Sequence, residues 1–106
     1  MRAGQRNTKV IIEQRSEDSI DSYGDPVETW SMFSAQFAEV MTRGGKEFLQ
    51  AREQHSELTH ILTTRYVDGV NPKMRINNNG VYYNILAVFD PSKRRRELKI
   101  YCNEQN

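Results

Sequence analysis

Two histidines, a single cysteine and a run of four cations are the residues of this chain best suited to chemistry, and their spacing limits what that chemistry is. His55 and His60 are five positions apart, on opposite faces of a strand and well apart around a helix, so they do not converge on one metal ion. Cys102 stands alone, which excludes an intramolecular disulfide and argues against a zinc site within one copy. It alternates with Leu98 and Ile100 and so reads as a small core residue on one strand face, not a reactive thiol. The 14 carboxylates fall in loops and at strand edges without the spacing of a general acid and base. No Gly-rich phosphate loop, nucleophile elbow or zincin helix occurs. The reading is a non-enzymatic chain with no catalytic residue, cofactor, metal or small-molecule substrate.

The cations are the continuous run Lys93, Arg94, Arg95 and Arg96. The opposite charge gathers in residues 16–28, where Glu17, Asp18, Asp21, Asp25 and Glu28 occur without any Lys or Arg. A net charge of +1 gives no long-range field that would draw the whole molecule to nucleic acid or to a membrane surface. The two runs read as polarised ends of the fold, suited to contact between unlike surfaces. Lys93, Arg94, Arg95 and Arg96 are expected to serve assembly or contact with DNA, not folding, because charges in an exposed turn are screened. A small barrel with Tyr82, Tyr83 and Tyr101 near such a run also has the composition of an oligonucleotide-binding face. Against that alternative, the cations occupy a turn and the tyrosines lie on both faces of their strands.

The elements that must position these groups are mostly strands. A chain of 106 residues with 37% apolar residues supports one domain, 1–106, with a thin core. Period-two alternation marks strands over residues 8–15, 29–41, 58–67, 73–77, 81–89 and 96–102. Residues 29–41 place Phe33, Ala35 and Phe37 on one face and Trp30, Met32, Ala38 and Val40 on the other, as in a central strand covered on both sides. Residues 81–89 set Tyr83, Ile85 and Ala87 against Tyr82, Leu86 and Val88. Asn77-Asn78-Asn79-Gly80 is a hairpin signal, since Asn and Gly tolerate positive φ. Tyr23-Gly24-Asp25-Pro26 reads as a turn whose aromatic packs on the barrel. Arg65 and Arg75 are expected to pair with carboxylates at strand ends or across a subunit boundary. The fold class is mainly β, a small antiparallel β-barrel of about six strands.

Two long connections, residues 16–28 and 42–56, exceed what a minimal barrel needs, and long connections tend to carry function. The second opens on Gly44 and Gly45 and continues through good helix formers, so it holds one short helix in a long loop. Its Phe48, Leu49 and Ala51 form a narrow apolar stripe, and Lys46, Glu47, Arg52 and Glu53 supply charge of both signs. Gly44, Gly45, Lys46, Glu47, Phe48, Leu49, Arg52 and Glu53 are thus the candidate residues of a mobile gating segment. The first half-dozen residues and residues 103–106 read as tails that are frayed or ordered by a partner. No stretch has the length and hydropathy of a leader or a membrane span, so the expectation is a soluble chain.

An ordered series of fragments then carries a resemblance. Met1-Arg2-Ala3-Gly4, Tyr23-Gly24 leading to Trp30, Gly45-Lys46-Glu47-Phe48, Thr63-Thr64-Arg65-Tyr66, Asp90-Pro91 and Arg95-Arg96-Glu97-Leu98 together resemble the phage head-tail joining (head-closure or stopper) proteins over roughly residues 1–103. The resemblance implies a structural virion protein, made in the bacterial cytoplasm and placed at the head-tail connector. It also implies a homo-oligomeric ring, commonly twelve-fold, that docks on the portal or adaptor ring proteins, receives tail proteins and retains packaged DNA. The alternatives are a hexameric tail-terminator or tail-completion ring subunit and the nucleic-acid module above.

Overall fold

Alternation of apolar and polar residues gives each strand one wettable face, and six such strands bury the other by closing on themselves. The computed structural model describes residues 8–20, 22–42 and 45–105. It contains β1 (Thr8–Ile20), β2 (Pro26–Met41), α1 (Gly45–Gln54), β3 (His60–Arg65), β4 (Arg75–Asn78), β5 (Val81–Phe89) and β6 (Glu97–Glu104). All pairings are antiparallel, and the strands close in the order β1-β2-β3-β6-β5-β4. Two seams are short: β1–β4 and β2–β3 hold three residue pairs each.

The barrel interior is filled by Val10, Ile12, Ala38, Leu62, Ile76, Tyr83, Ile85, Leu98, Ile100 and Cys102. A second, smaller cluster lies outside the barrel wall, where Phe48 and Ala51 of α1 cover Ile61 and Leu58. Hence Ile61, Leu62, Thr63 and Thr64 are all buried, and β3, not β2, is the strand covered on both sides. A ring of strands has no centre, and the face of β2 that was expected to be covered holds Phe37 and Met32 at 57% and 64% exposure.

Two β-bulges account for the misread faces. The register of β1 on β2 passes from Ile12↔Ser34 to Glu13↔Met32, so Phe33 is the extra residue, and Met32 and Trp30 fall on the same side as Ala35 and Phe37. In β5 the register passes from Ile85↔Cys102 to Ala87↔Tyr101. Leu86 is extra there, and Val88 replaces Ala87 against the core. An inserted residue inverts every later side chain, which simple alternation cannot anticipate.

The acidic connection is also corrected: it is mostly strand. β1 and β2 continue pairing to Ile20↔Pro26, making a ribbon that projects from the barrel, and Tyr23 near its tip is 90% exposed and does not pack on the wall. The C-terminal tail is likewise paired, since β6 runs to Glu104 and the Gln105 N–H donates to the Tyr82 carbonyl at 2.8 Å. The Asn79-Gly80 turn is as expected, with φ of 52° and 93°. Residues 1–7 lie outside the described ones.

Cys102 is fully buried in the interior, and burial pushes its thiol up to about 12. Relative to an ordinary thiol near 9.0, the reactive thiolate is depleted roughly a thousandfold at neutral pH. Alkylation of the folded protein by iodoacetamide is expected to be slower than that of urea-unfolded protein by at least that factor; comparable rates would place the thiol at the surface.

Candidate functional site

Antiparallel topology distributes the connections between two ends of the barrel. The β1–β2 ribbon, the β3–β4 connection and the β5–β6 turn share one end. The α1 connection, the Asn79-Gly80 turn, Thr8 and Gln105 share the other. The acidic and basic runs are therefore not at opposite poles, as the sequence suggested, but on one rim, the ribbon at the β1–β2 seam and the basic turn across the barrel at the β5–β6 seam.

The basic turn is built around one carboxylate. Asp90 Oδ1 accepts from the Ser92 and Lys93 N–H groups at 3.2 and 3.0 Å, and Oδ2 accepts from the Arg95 N–H at 2.8 Å. Lys93 and Arg95 adopt left-handed φ of 58° and 56°, a conformation that costs residues other than glycine about 1–2 kcal/mol each. Desolvation acts to raise the Asp90 pKa, but the N–H groups of Arg95, Lys93 and Ser92 outweigh it and hold the carboxyl below its usual value. The ionised form holds the turn, so its contribution is present above the ordinary value of 3.8 and lost as pH falls through the folded one. Acidification is therefore expected to shift the amide signals of Ser92, Lys93 and Arg95 together, with a midpoint below 3.8; a midpoint above it would mean that these bonds do not select the carboxylate.

Lys93, Arg94, Arg95 and Arg96 are all exposed. Arg95 and Arg96 line an open cleft of about 730 Å³ with Arg65, Tyr66, Ser92 and Glu97. The Tyr66 N–H donates to the Arg96 carbonyl at 3.1 Å, and Arg65 sits opposite Glu97 in the β3–β6 register. Both walls of the cleft are thus fixed to the barrel. No ion pair holds the Arg65, Arg95 or Arg96 guanidinium among the described residues. Sequence reasoning had the turn but not Arg65 beside it, because the two are joined only by strand pairing.

The residues of the candidate gate separate into two groups. Phe48 and Ala51 are buried on the barrel wall, and Glu47 Oε2 meets Lys99 Nζ of β6 at 3.1 Å. Gly45, Lys46, Leu49, Arg52 and Glu53 are exposed, with Leu49 at 63%, so Leu49 is not part of the docking stripe. Glu47 in the first turn and Arg52 in the last complement the helix dipole. The left-handed Gly45, φ 72°, leads the chain into the helix; Gly44 lies outside the described residues.

A constellation missed entirely in the sequence sits at the root of the ribbon. The Arg75 guanidinium lies 4.2 Å from the Trp30 ring centre and 4.1 Å from that of Tyr82. Its Nε donates to Glu13 Oε1 at 2.6 Å, and Asn77 Nδ2 donates to Glu13 Oε2 at 3.3 Å. Arg75 thus finds the carboxylate expected for it within the same chain, while Trp30 is an outer-face residue beneath it. Among the described residues no group of three His, Cys, Asp or Glu side chains is placed to hold a metal ion, and no helix is long and apolar enough to cross a membrane.

Comparison with known proteins gives these surfaces a context. The family model of the phage head completion protein matches residues 1–105. The chain is similar to the solution structure of a protein from Shigella flexneri 2a, with TM-score 0.71 and 24% identity, covering 98% of this chain and 96% of that one. It is also similar to a chain of the virion of a native gene transfer agent particle, with TM-score 0.60 and 17% identity, covering 93% and 94%. At these identities the two structures show a shared fold. Among curated proteins none matches the sequence.

Proposed function

The chain belongs to the phage head completion protein family, a structural role in the phage head, and from that premise we propose that it is the ring-forming subunit closing the head at its connector to the tail. The observation that carries this reading is the family match over residues 1–105. In this reading the copies form a closed ring, commonly twelve-fold, between portal or adaptor and tail, and hold packaged DNA in the head. The rim that gathers the ribbon and the basic turn is the natural contact side, and α1 at the opposite end is the candidate closing element. Adding the purified protein to a portal-adaptor complex tests it by electron microscopy: an extra ring of density is expected, and an unchanged complex overturns the reading.

The turn supplies a second check that separates assembly from folding. Replacing Arg94 by Ser and Arg95 by Gly removes two exposed charges and relieves one left-handed residue, a gain of about 1 kcal/mol offset by the freedom glycine adds to the unfolded chain. The melting temperature is expected to stay within a few degrees, while incorporation into the connector falls. Normal incorporation would remove the turn from the contact surface.

A further inference from the structure

We infer that the cleft of Arg65, Arg95 and Arg96 receives the acidic β1–β2 ribbon of a second copy of this chain. The inference rests on the ring reading above and names the contact that would join its subunits. Three exposed or cleft-lining guanidiniums stand on a rigid frame: the Asp90 carboxylate fixes the turn, and the Tyr66–Arg96 backbone bond fixes the turn to β3. Their nearest carboxylate in the strand register is Glu97, so cations outnumber anions in the cleft. Guanidiniums in such a setting select carboxylates, which they grip with paired N–H donors.

The occupant is found on the same rim. Residues 16–28 carry Glu17, Asp18, Asp21, Asp25 and Glu28 and no cation. β1 pairs with β4 only as far as Glu13, leaving seven residues of β1 beyond that contact, about 23 Å of extended chain. The molecule is accordingly elongated, 49 × 26 × 25 Å. Barrel strands tilt by roughly 40°, so a ribbon continuing their direction travels about 15 Å sideways, more than half the breadth of the barrel. It leaves from the β1–β2 seam, whereas the cleft lies at the β3–β6 seam, two strands further round. Rotation about a common axis repeats whatever contact one copy makes with its neighbour, so a ribbon that leans over the rim onto the next copy's cleft makes a contact of unlike patches that recurs around a ring.

Charge reversal tests this with the full chain. One variant carries Glu17→Lys, Asp18→Lys and Glu28→Lys; the other carries Arg65→Glu, Arg95→Glu and Arg96→Glu. Each alone sets like charges against each other and is expected to lose self-association in low-salt sedimentation at submillimolar concentration, and to lose incorporation into the connector. Mixed one to one, positive ribbons meet negative clefts and negative ribbons meet positive clefts, so association returns. A mixing control of equal net charge, Lys9→Glu with Lys46→Glu and Arg52→Glu, is expected to restore nothing when added to the ribbon variant. Should the cleft variant fold poorly, Arg65→Gln with Arg96→Gln is expected to weaken association at least tenfold. The contact is overturned if either variant assembles as the unaltered chain does, if the control restores association equally, or if the unaltered chain and the mixture both stay monomeric. It is also overturned if cleft reversal abolishes binding of duplex DNA while association of copies persists. If the unaltered protein adds a ring to the connector and the variants do so equally, this contact fails and the ring reading stands.

Discussion

Arg75→Ala is expected to lower stability by about 3 kcal/mol, a large fraction of what a domain of this size has. The guanidinium is the common member of three contacts that tie β4 to β1, β2 and β5: the Glu13 ion pair and the two aromatic faces. The Arg75 and Glu13 side chains are only 19% and 15% exposed. Removing the cation therefore leaves a half-desolvated carboxylate with Asn77 as its remaining hydrogen-bond partner among the described residues, and breaking a pair of this kind costs more than the pair contributes. The two cation–π contacts add about 0.5–1 kcal/mol each. Arg75→Lys keeps a charge but not the planar group that fills the space between two rings, so about half the loss is expected. Chemical denaturation checks both, and an Arg75→Ala loss under 1 kcal/mol would show the stack to be incidental. A second readout follows from its position: ribbon amides between Ser16 and Thr29 are expected to lose hydrogen-exchange protection before the barrel does.

Phe48→Ala is expected to undock α1 without opening the barrel. Phe48 is 5% exposed, against Leu58 and Ile61, and truncating a buried Phe costs about 3–5 kcal/mol. A ten-residue helix is marginal by itself, so once undocked it frays. The global loss is capped at the free energy of docking, because the barrel core of Val10, Ile12, Leu62, Ile76 and Ile100 is a separate cluster. The expected pattern is full loss of exchange protection at 46–54 with strand protection nearly unchanged. Equal loss everywhere would mean that α1 is integral to the barrel. The experiment also bears on gating: a closing element made of α1 starts docked and must overcome this same free energy to swing, so leakage of packaged DNA in Phe48→Ala particles would support that role.

Legibility in the sequence followed the range of the interactions. The β5 boundaries and the Asn79-Gly80 turn are set by neighbours in the chain and were readable there. The ribbon was not, since Gly24, Pro26 and five acidic residues look locally like a loop, and its strand pairing is fixed by β1 and β2 jointly. The faces of β2 and β5 were lost at Phe33 and Leu86, where one extra residue breaks the period. For the candidate surfaces, residue type was visible and partnership was not: Arg75 finds Glu13 across 62 positions, and Arg65 reaches Arg95 and Arg96 only through β3–β6 pairing. The basic run was correctly seen as an exposed turn, but its place on the same rim as the acidic segment depends on how strands alternate direction around a closed sheet.

The ribbon carries a hazard that its composition contains. Beyond Glu13 on β1, and before Glu39 on β2, each strand has only the other as a strand partner among the described residues, so no further described strand covers either outer edge. Such edges invite a third strand from an identical molecule and are a common seed of aggregation. Here a proline begins β2, where a donor is missing, and two like ribbons laid edge to edge would bring the carboxylates of residues 16–28 together, with Arg15 at the ribbon root as the one cation of the β1 arm. The same charges that make the ribbon attractive to an arginine cleft make it repellent to itself, so crowded newly made copies can stay apart until the right surface is offered.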